Sequence, residues 1–316
     1  MAKSGALNGK TVVLMGGTGF LGNYVAQALL SRGARLRICS RHPRDAFKLK
    51  PLANLGQLQF ARMDATDRRS VEQCIEGADA VVNLVGSFDG NLKKLMGLAP
   101  GWMAEAAREA GAQAFVHVSA IAQVPDENTD NEYASAKHLG ESLVKEVYPK
   151  ATIIRPSIIF GKDDNFLNMF GDLISKLPIL PVFAPDAQLQ LVYVDDVAEA
   201  IAQSLEQPAK HGGKTYELGG PEKLTMMEIN QRIADAQRRK RTFLPMPDGL
   251  SAAFAALPGT PMGSDQWNLL KEGSVASGKL PGFEKFDIEP KPLGLFLDKW
   301  MTRFRKHGRF AERLSA

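Results

Sequence analysis

Cysteine is almost missing from this chain: Cys39 and Cys74 are the only two among 316 residues, and neither stands at metal-ligand spacing. A disulfide framework and a zinc site are thereby excluded as organising devices, and a reducing compartment is expected. No apolar run approaches the roughly 20 residues that cross a bilayer. The opening MAKSGALNGK is too short and too polar for a secretory signal, and it lacks the arginine-rich pattern of a transit peptide. These absences point to a cytoplasmic protein, peripheral to a membrane at most. Internal repeats and low-complexity linkers are missing too. With 44% hydrophobic and 23% charged residues, what is left is the composition of an ordinary globular chain.

The net charge of +4 hides an uneven distribution. Residues 35–50 hold Arg35, Arg37, Arg41, Arg44, Lys48 and Lys50 against Asp45 alone. Residues 232–241 hold Arg232, Arg238, Arg239, Lys240 and Arg241 against Asp235, and a third basic segment covers residues 291–316. Each cluster is either a solvated face or a surface that meets an anion.

Short apolar strands alternate with helical patterns through the first half. KTVVLMGG, ARLRICSR, LQFARMDAT, ADAVVNLVG and AFVHVSAIA read as strands, with helices over NYVAQALLSRG, RSVEQCIEGA and GWMAEAAREAG. The helix YASAKHLGESLVKEVYP and the strand ATIIRPSIIFG extend the series. This alternation specifies an α/β fold of the Rossmann type, a doubly wound parallel sheet with right-handed crossovers. After Gly161 the rhythm breaks into proline-punctuated apolar sequence, which predicts a smaller C-terminal α/β cap domain. The expected division is residues 1–160 for the nucleotide domain, with 191–220 returning to it. Residues 161–190 and 221–290 form the second domain, and 291–316 a basic amphipathic tail.

The glycines of GGTGFLG follow a strand and open a helix, the context in which such spacing binds a dinucleotide. Gly16 permits the tight turn, Gly19 the approach of a pyrophosphate, and Gly22 close helix packing, with the phosphates on the helix N-terminus. A carboxylate reading the ribose 2′-hydroxyl would stand at the end of the second strand. Ser40 and Arg41 stand there instead, which suits a 2′-phosphate and favours NADP(H) over NAD(H), with His42 or Arg44 as helpers. Asp64 either accepts from the adenine amino group or caps a turn. The full cofactor-facing set is Gly16, Thr18, Gly19, Phe20, Leu21, Gly22, Ser40, Arg41, His42, Asp64, Ala65, Leu84, Val85 and Gly86, joined by Lys137. No metal-ligand constellation is present.

Tyr133 and Lys137 share one helix face by their spacing of four. Behind a dinucleotide turn and a fifth strand ending in VSA, this YxxxK resembles the short-chain dehydrogenase/reductase superfamily, in its extended or atypical, epimerase/dehydratase-like branch. That resemblance implies that Lys137 holds the nicotinamide ribose and lowers the tyrosine pKa, so that Tyr133 exchanges a proton during hydride transfer. The family's Ser or Thr after the fifth strand falls on Ala120, with Ser119 just before it as the candidate donor.

YASAKHLGE, IIRPSIIFGKDDNFLNMF, LVYVDDVAEAI and FLPMP narrow the match to one branch. They resemble the NADPH-binding accessory subunits of respiratory complex I and their alphaproteobacterial relatives, over nearly the whole chain. The resemblance implies a stably held NADPH, a structural or assembly role at the junction of peripheral and membrane arms, and Pro156 and Ser157 near the nicotinamide. It also implies complex I subunits as partners, and the missing transit peptide favours a bacterial cytoplasmic protein, peripheral on the inner face of the plasma membrane, over a mitochondrial precursor.

The segment LGLFLDKWMTRFRKHGRF interleaves apolar and basic residues. It is either a basic amphipathic helix that lies on anionic lipid or in a partner groove through residues 293–313, or a terminal helix packed on its own domain. QRRKR at 237–241 reads as an exposed helix end. Nucleic-acid binding lacks its aromatic platforms and reading motifs. Three functions follow: an NADP(H)-holding accessory or assembly protein of complex I; an active NADP-dependent oxidoreductase or epimerase using Tyr133, Lys137 and Ser119; and a sensor whose partner binding follows the NADP redox state.

Overall fold

The computed structural model describes residues 5–122, 131–249, 251, 264–306 and 308. The chain divides into two compact units. Unit 1 comprises Met1–Pro156, Val194–Leu218 and Ser277–Glu289, and unit 2 comprises Ser157–Tyr193, Gly219–Ala276 and Pro290–Ala316.

Unit 1 opens with β1 (Thr11–Met15), α1 (Phe20–Leu30), β2 (Arg35–Ser40), β3 (Leu58–Arg62), α2 (Arg68–Ile75) and β4 (Ala80–Asn83). There follow α3 (Ala99–Glu109), β5 (Ala114–Val118), α4 (Glu132–Val147) and β6 (Thr152–Pro156). The chain then enters unit 2 through β7 (Ile159–Phe160), α5 (Asn165–Lys176), β8 (Ile179–Val182), β9 (Gln188–Leu189) and β10 (Val192–Tyr193). It returns to unit 1 with α6 (Val194–Glu206), α7 (Pro208–His211) and β11 (Thr215–Leu218). Unit 2 resumes with β12 (Leu224–Thr225), α8 (Met226–Ala236), β13 (Thr242–Pro245), α9 (Ser264–Glu272) and α10 (Gly294–Met301).

The seven-stranded sheet runs β11-β6-β5-β4-β1-β2-β3, and every pair in it is parallel. The central strands β1 and β4 are apolar runs because helices cover both faces: Val12 to Met15 and Val81 to Val82 are fully buried. The order reverses between β1 and β4, so their carboxyl ends form the crevice in which a doubly wound sheet takes its ligand.

Three expectations need correction. The strand ATIIRPSIIFG is two strands, broken at Ser157, and the unit boundary falls there rather than at residue 160. Residues 277–289 also return to unit 1. Glu217 of β11 donates its N–H to Pro281 O at 3.0 Å, and Phe286 stacks on His211 at 4.5 Å and packs on Tyr216 at 4.7 Å. This strap covers the edge of β11, an arrangement that depends on contacts far apart in sequence.

The third correction concerns the tail. Leu293, Leu297 and Met301 are buried in the core of unit 2, with Phe296, Trp300 and Phe304 packed against them. Phe296 stacks between Tyr193 at 4.3 Å and Trp300 at 4.8 Å. The apolar face of α10 is therefore consumed by its own unit and does not offer a surface to lipid; Leu295 alone among its aliphatic residues is exposed. Residues 307 and 309–316 lie outside the described residues. QRRKR is likewise more engaged than a solvated helix end: Arg239 donates to Phe304 O at 3.0 Å and Arg241 to Ile174 O at 2.7 Å.

Candidate functional site

The glycine turn explains itself residue by residue. Gly16 has φ +79°, and a Cβ there would lie 3.1 Å from Val85 N. Gly17, which the spacing argument passed over, would place a Cβ 2.8 Å from Leu14 Cβ, and Gly22 would place one 2.6 Å from Gly17 O. Crowding within the protein thus accounts for three glycines. Gly19 is different, since the nearest atom to its Cβ position is Gly16 O at an ordinary 3.5 Å. The open space lies at the N-terminus of α1, where Gly19 caps without a side chain and the first turn carries no acid. Unpaired N–H groups and the helix dipole converge there, so the cradle fits a phosphate. Thr18, Phe20 and Leu21 are half-buried around it. Asn23, another residue the spacing did not reveal, ties the turn by donating to Gly19 O at 2.7 Å.

The end of β2 approaches the same turn, with Gly16 N–H bonded to Cys39 O at 2.8 Å. Ser40 is buried and its hydroxyl has no partner among the described residues, which leaves a donor for a ligand. Arg41, His42 and Arg44 are exposed beside it. Asp64 accepts from Thr66 N–H at 2.9 Å and from its hydroxyl at 2.8 Å, and so caps its turn. Those bonds and then the charge of Arg41 hold its carboxyl below the usual range. Ala65 is buried behind it. Arg37 takes no part, since it donates to Cys74 O and Glu76 O and so finishes α2.

After β4, Leu84 and Val85 are half-buried and Gly86 is exposed. Asn83, fully buried, shapes this loop: its Oδ1 accepts Val85 N–H at 3.0 Å, while its Nδ2 meets His117 Nδ1 at 3.0 Å. Burial pushes His117 down to about 3, aided by the charge of Lys137, so the ring is neutral and accepts from Asn83. The only sequence signal for the pair was one polar residue in each of two otherwise apolar strands.

Tyr133 and Lys137 lie in the first two turns of α4, whose N-cap Asn131 accepts Ala134 N–H at 3.0 Å. Lys137 is buried; its ammonium donates to Val118 O at 3.3 Å and lies 3.7 Å from the Cβ position of Gly86. It stands 5.8 Å from the Tyr133 ring centroid, and Tyr133 stacks on Phe88 at 4.6 Å. Burial pushes Tyr133 up to about 12 and Lys137 down to about 8. Val85, Gly86, Lys137 and the glycine turn are therefore brought together at the carboxyl ends of β1, β4 and β5.

Ser119 and Ala120 continue β5, with Ser119 N–H bonded to Ile154 O and Ile121 N–H to Pro156 O. Successive side chains of extended backbone point to opposite sides. Ser119 is buried, its hydroxyl without a partner among the described residues, and Ala120 is half-exposed. Pro156 ends β6 in unit 1, while Ser157 belongs to unit 2, where its hydroxyl donates to Ser274 O at 2.8 Å. Most of the acidic loop before Tyr133, residues 123–130, lies outside the described residues. Among the described residues no cluster of three His, Cys, Asp or Glu is placed to hold a metal.

A model of the NAD dependent epimerase/dehydratase family matches residues 12–219. The chain belongs to that family. Its relatives include the mitochondrial NADH dehydrogenase (ubiquinone) 1 alpha subcomplex subunit 9 of Mus musculus, 30% identical over 96% of this chain and 82% of the relative. The NADH-ubiquinone oxidoreductase 40 kDa subunit of Neurospora crassa is 26% identical over 96% of this chain and 81% of its own length. Ceramide reductase of Caulobacter vibrioides is 27% identical over 79% of the chain and 80% of the enzyme. Among solved structures, triphenylmethane reductase of a Citrobacter species in complex with NADP(H) superposes with a TM-score of 0.72 at 18% identity, covering 92% of this chain and 99% of that one. The fold is thus that of the dinucleotide-binding reductases and epimerases. Within the described residues no helix is long and apolar enough to cross a membrane.

Proposed function

We propose that this family member is an NADP(H)-holding accessory or assembly protein of respiratory complex I. The observation that carries the reading is its similarity, along 96% of its length, to a subunit named for that complex. The preference for NADP(H) rests on Ser40 and Arg41 at the end of β2 in place of a carboxylate. The pyrophosphate belongs at Gly19, the 2′-phosphate at Arg41, and the nicotinamide ribose at Lys137. The test is the mass of nucleotide released on denaturation, joined to copurification from the native membrane fraction. Release of NADP(H) with complex I subunits in the eluate is the expected result; NAD alone, or a chain that migrates alone in native gels, sinks the reading.

Similarity to a ceramide reductase favours a second reading, an NADP-dependent oxidoreductase. A bound nicotinamide supplies or accepts the hydride. In this reading Tyr133 transfers the proton to or from the substrate oxygen, and Lys137 lowers the cost of the phenolate. Ala120 presents a methyl group where a hydroxyl would steady that oxygen, and Ser119 faces away from it. The check is NADPH oxidation across carbonyl substrates by wild type and Tyr133→Phe, and equal rates dismiss the role of the tyrosine.

A further inference from the structure

Lys137 is backed by a buried ionic chain that a bare dinucleotide cradle does not need. Glu141 follows it by one helical turn on the buried face of α4. Its carboxylate is gripped by both arms of Arg155 from β6, at 2.8 and 2.7 Å. Arg155 stands 3.8 Å from Glu217 of β11, and the second oxygen of Glu217 accepts Ser277 N–H at 2.6 Å. Arg155 and Lys145 hold the Glu141 carboxylate in place and ionised one helical turn from Lys137, where its charge favours the lysine's proton. An isolated ammonium in an apolar setting sheds that proton instead.

Among the described residues no other carboxylate acts on Lys137. His117 of β5 is neutral, Tyr133 of α4 is protonated, and Lys145 adds one more cation at 3.5 Å from Glu141. Lys93 and Lys94, on the π-helical turn packed against α4, are exposed and of the same sign. Burial would raise the Glu141 carboxyl, but the bonds and charge of Arg155 hold it at about 2, so it is ionised at any working pH.

We propose that Glu141 is a positioning residue for the dinucleotide: clamped by Arg155, it supplies the negative charge that holds Lys137 as an ammonium where the nicotinamide ribose is to lie. This rests on the dinucleotide reading above but is tested apart from it. The experiment follows the Lys137 side chain by lysine-labelled NMR in the ligand-free protein and measures NADPH affinity by calorimetry across the same pH range. Glu141→Gln is compared with Glu141→Asp and with the paired Glu141→Gln, Arg155→Met variant, which strands no buried guanidinium. Lys137 is expected to titrate near 8 in the wild type, at least about ten-fold more acidic in the Gln variants, and in between for Asp. NADPH affinity in the paired variant is expected to fall by about two-fold at pH 7 and by about ten-fold at pH 9, its loss on raising the pH beginning earlier. Coincident Lys137 titrations in wild type and folded paired variant overturn the proposal alone. A wild type that binds no NADPH overturns the reading of the site and the positioning role with it, while the ligand-free titration still reports the coupling.

Discussion

At the scale of single residues, charge and burial make opposed demands on the same side chains. Lys137 pays for its position: its proton affinity falls from 10.5 to about 8, so the unfolded chain binds that proton more tightly. The penalty is complete below pH 8 and fades as pH rises toward 10.5. Lys137→Met is expected to gain about 3 kcal/mol of stability at neutral pH while losing dinucleotide affinity, which denaturation and calorimetry on the same variant will measure. A loss of both would show that the ammonium contributes packing rather than function. Arg41 lies at the opposite extreme, exposed and next to the Ser40 hydroxyl, which has no partner among the described residues. Arg41→Ala should cost about 1.5–3 kcal/mol in NADPH binding and little in NADH binding, and an unchanged ratio of the two affinities would remove the 2′-phosphate from that position.

Elements add constraints that no single side chain carries. The glycine turn separates two kinds of glycine, those required by the protein and the one left free for a ligand. Gly22→Ala drives a Cβ to 2.6 Å from backbone, and a melting curve should show a marked loss of stability. Gly19→Ala meets nothing closer than 3.5 Å; it should melt near the wild type yet bind NADPH at least about ten-fold more weakly. Equal binding would place the pyrophosphate elsewhere. This turn was legible in the chain because strand, glycines and helix are neighbours in sequence and each obeys a local rule. Gly17 was not, because part of its need comes from Ile38 on the neighbouring strand β2, which only the folded sheet brings there. The end of the C-terminal helix shows the same limit: its amphipathic pattern states that one face must be covered, and Tyr193, Phe160 and α8 supply the cover only once unit 2 has closed.

For the molecule as a whole, the strap at 277–289 and the neutral buried histidines decide how unit 1 responds to conditions. Phe286→Ala empties the space between His211 and Tyr216 and should lower stability by about 3–5 kcal/mol, seen as an earlier thermal midpoint; a midpoint that stays put would mean the strap is not part of the cooperative unit. Burial holds His117 at about 3 and His211 at about 4, both below 6.5, so unfolding takes up protons in that window. Stability is full above pH 6.5 and falls as pH drops toward 4, which urea midpoints measured against pH will trace.

Composition, periodicity and a few spaced residues were enough for the α/β class, the strand series to β6, the dinucleotide turn and the Tyr133–Lys137 face, since all of these depend on neighbours within one or two turns or strands. Packing between distant segments settled the rest: the break at Ser157, the strap over β11, the fate of the basic tail, and the Glu141–Arg155–Glu217 chain behind Lys137. A buried charge is stable only where its partners meet it, and those partners come from α4, β6 and β11, which meet only in the folded sheet.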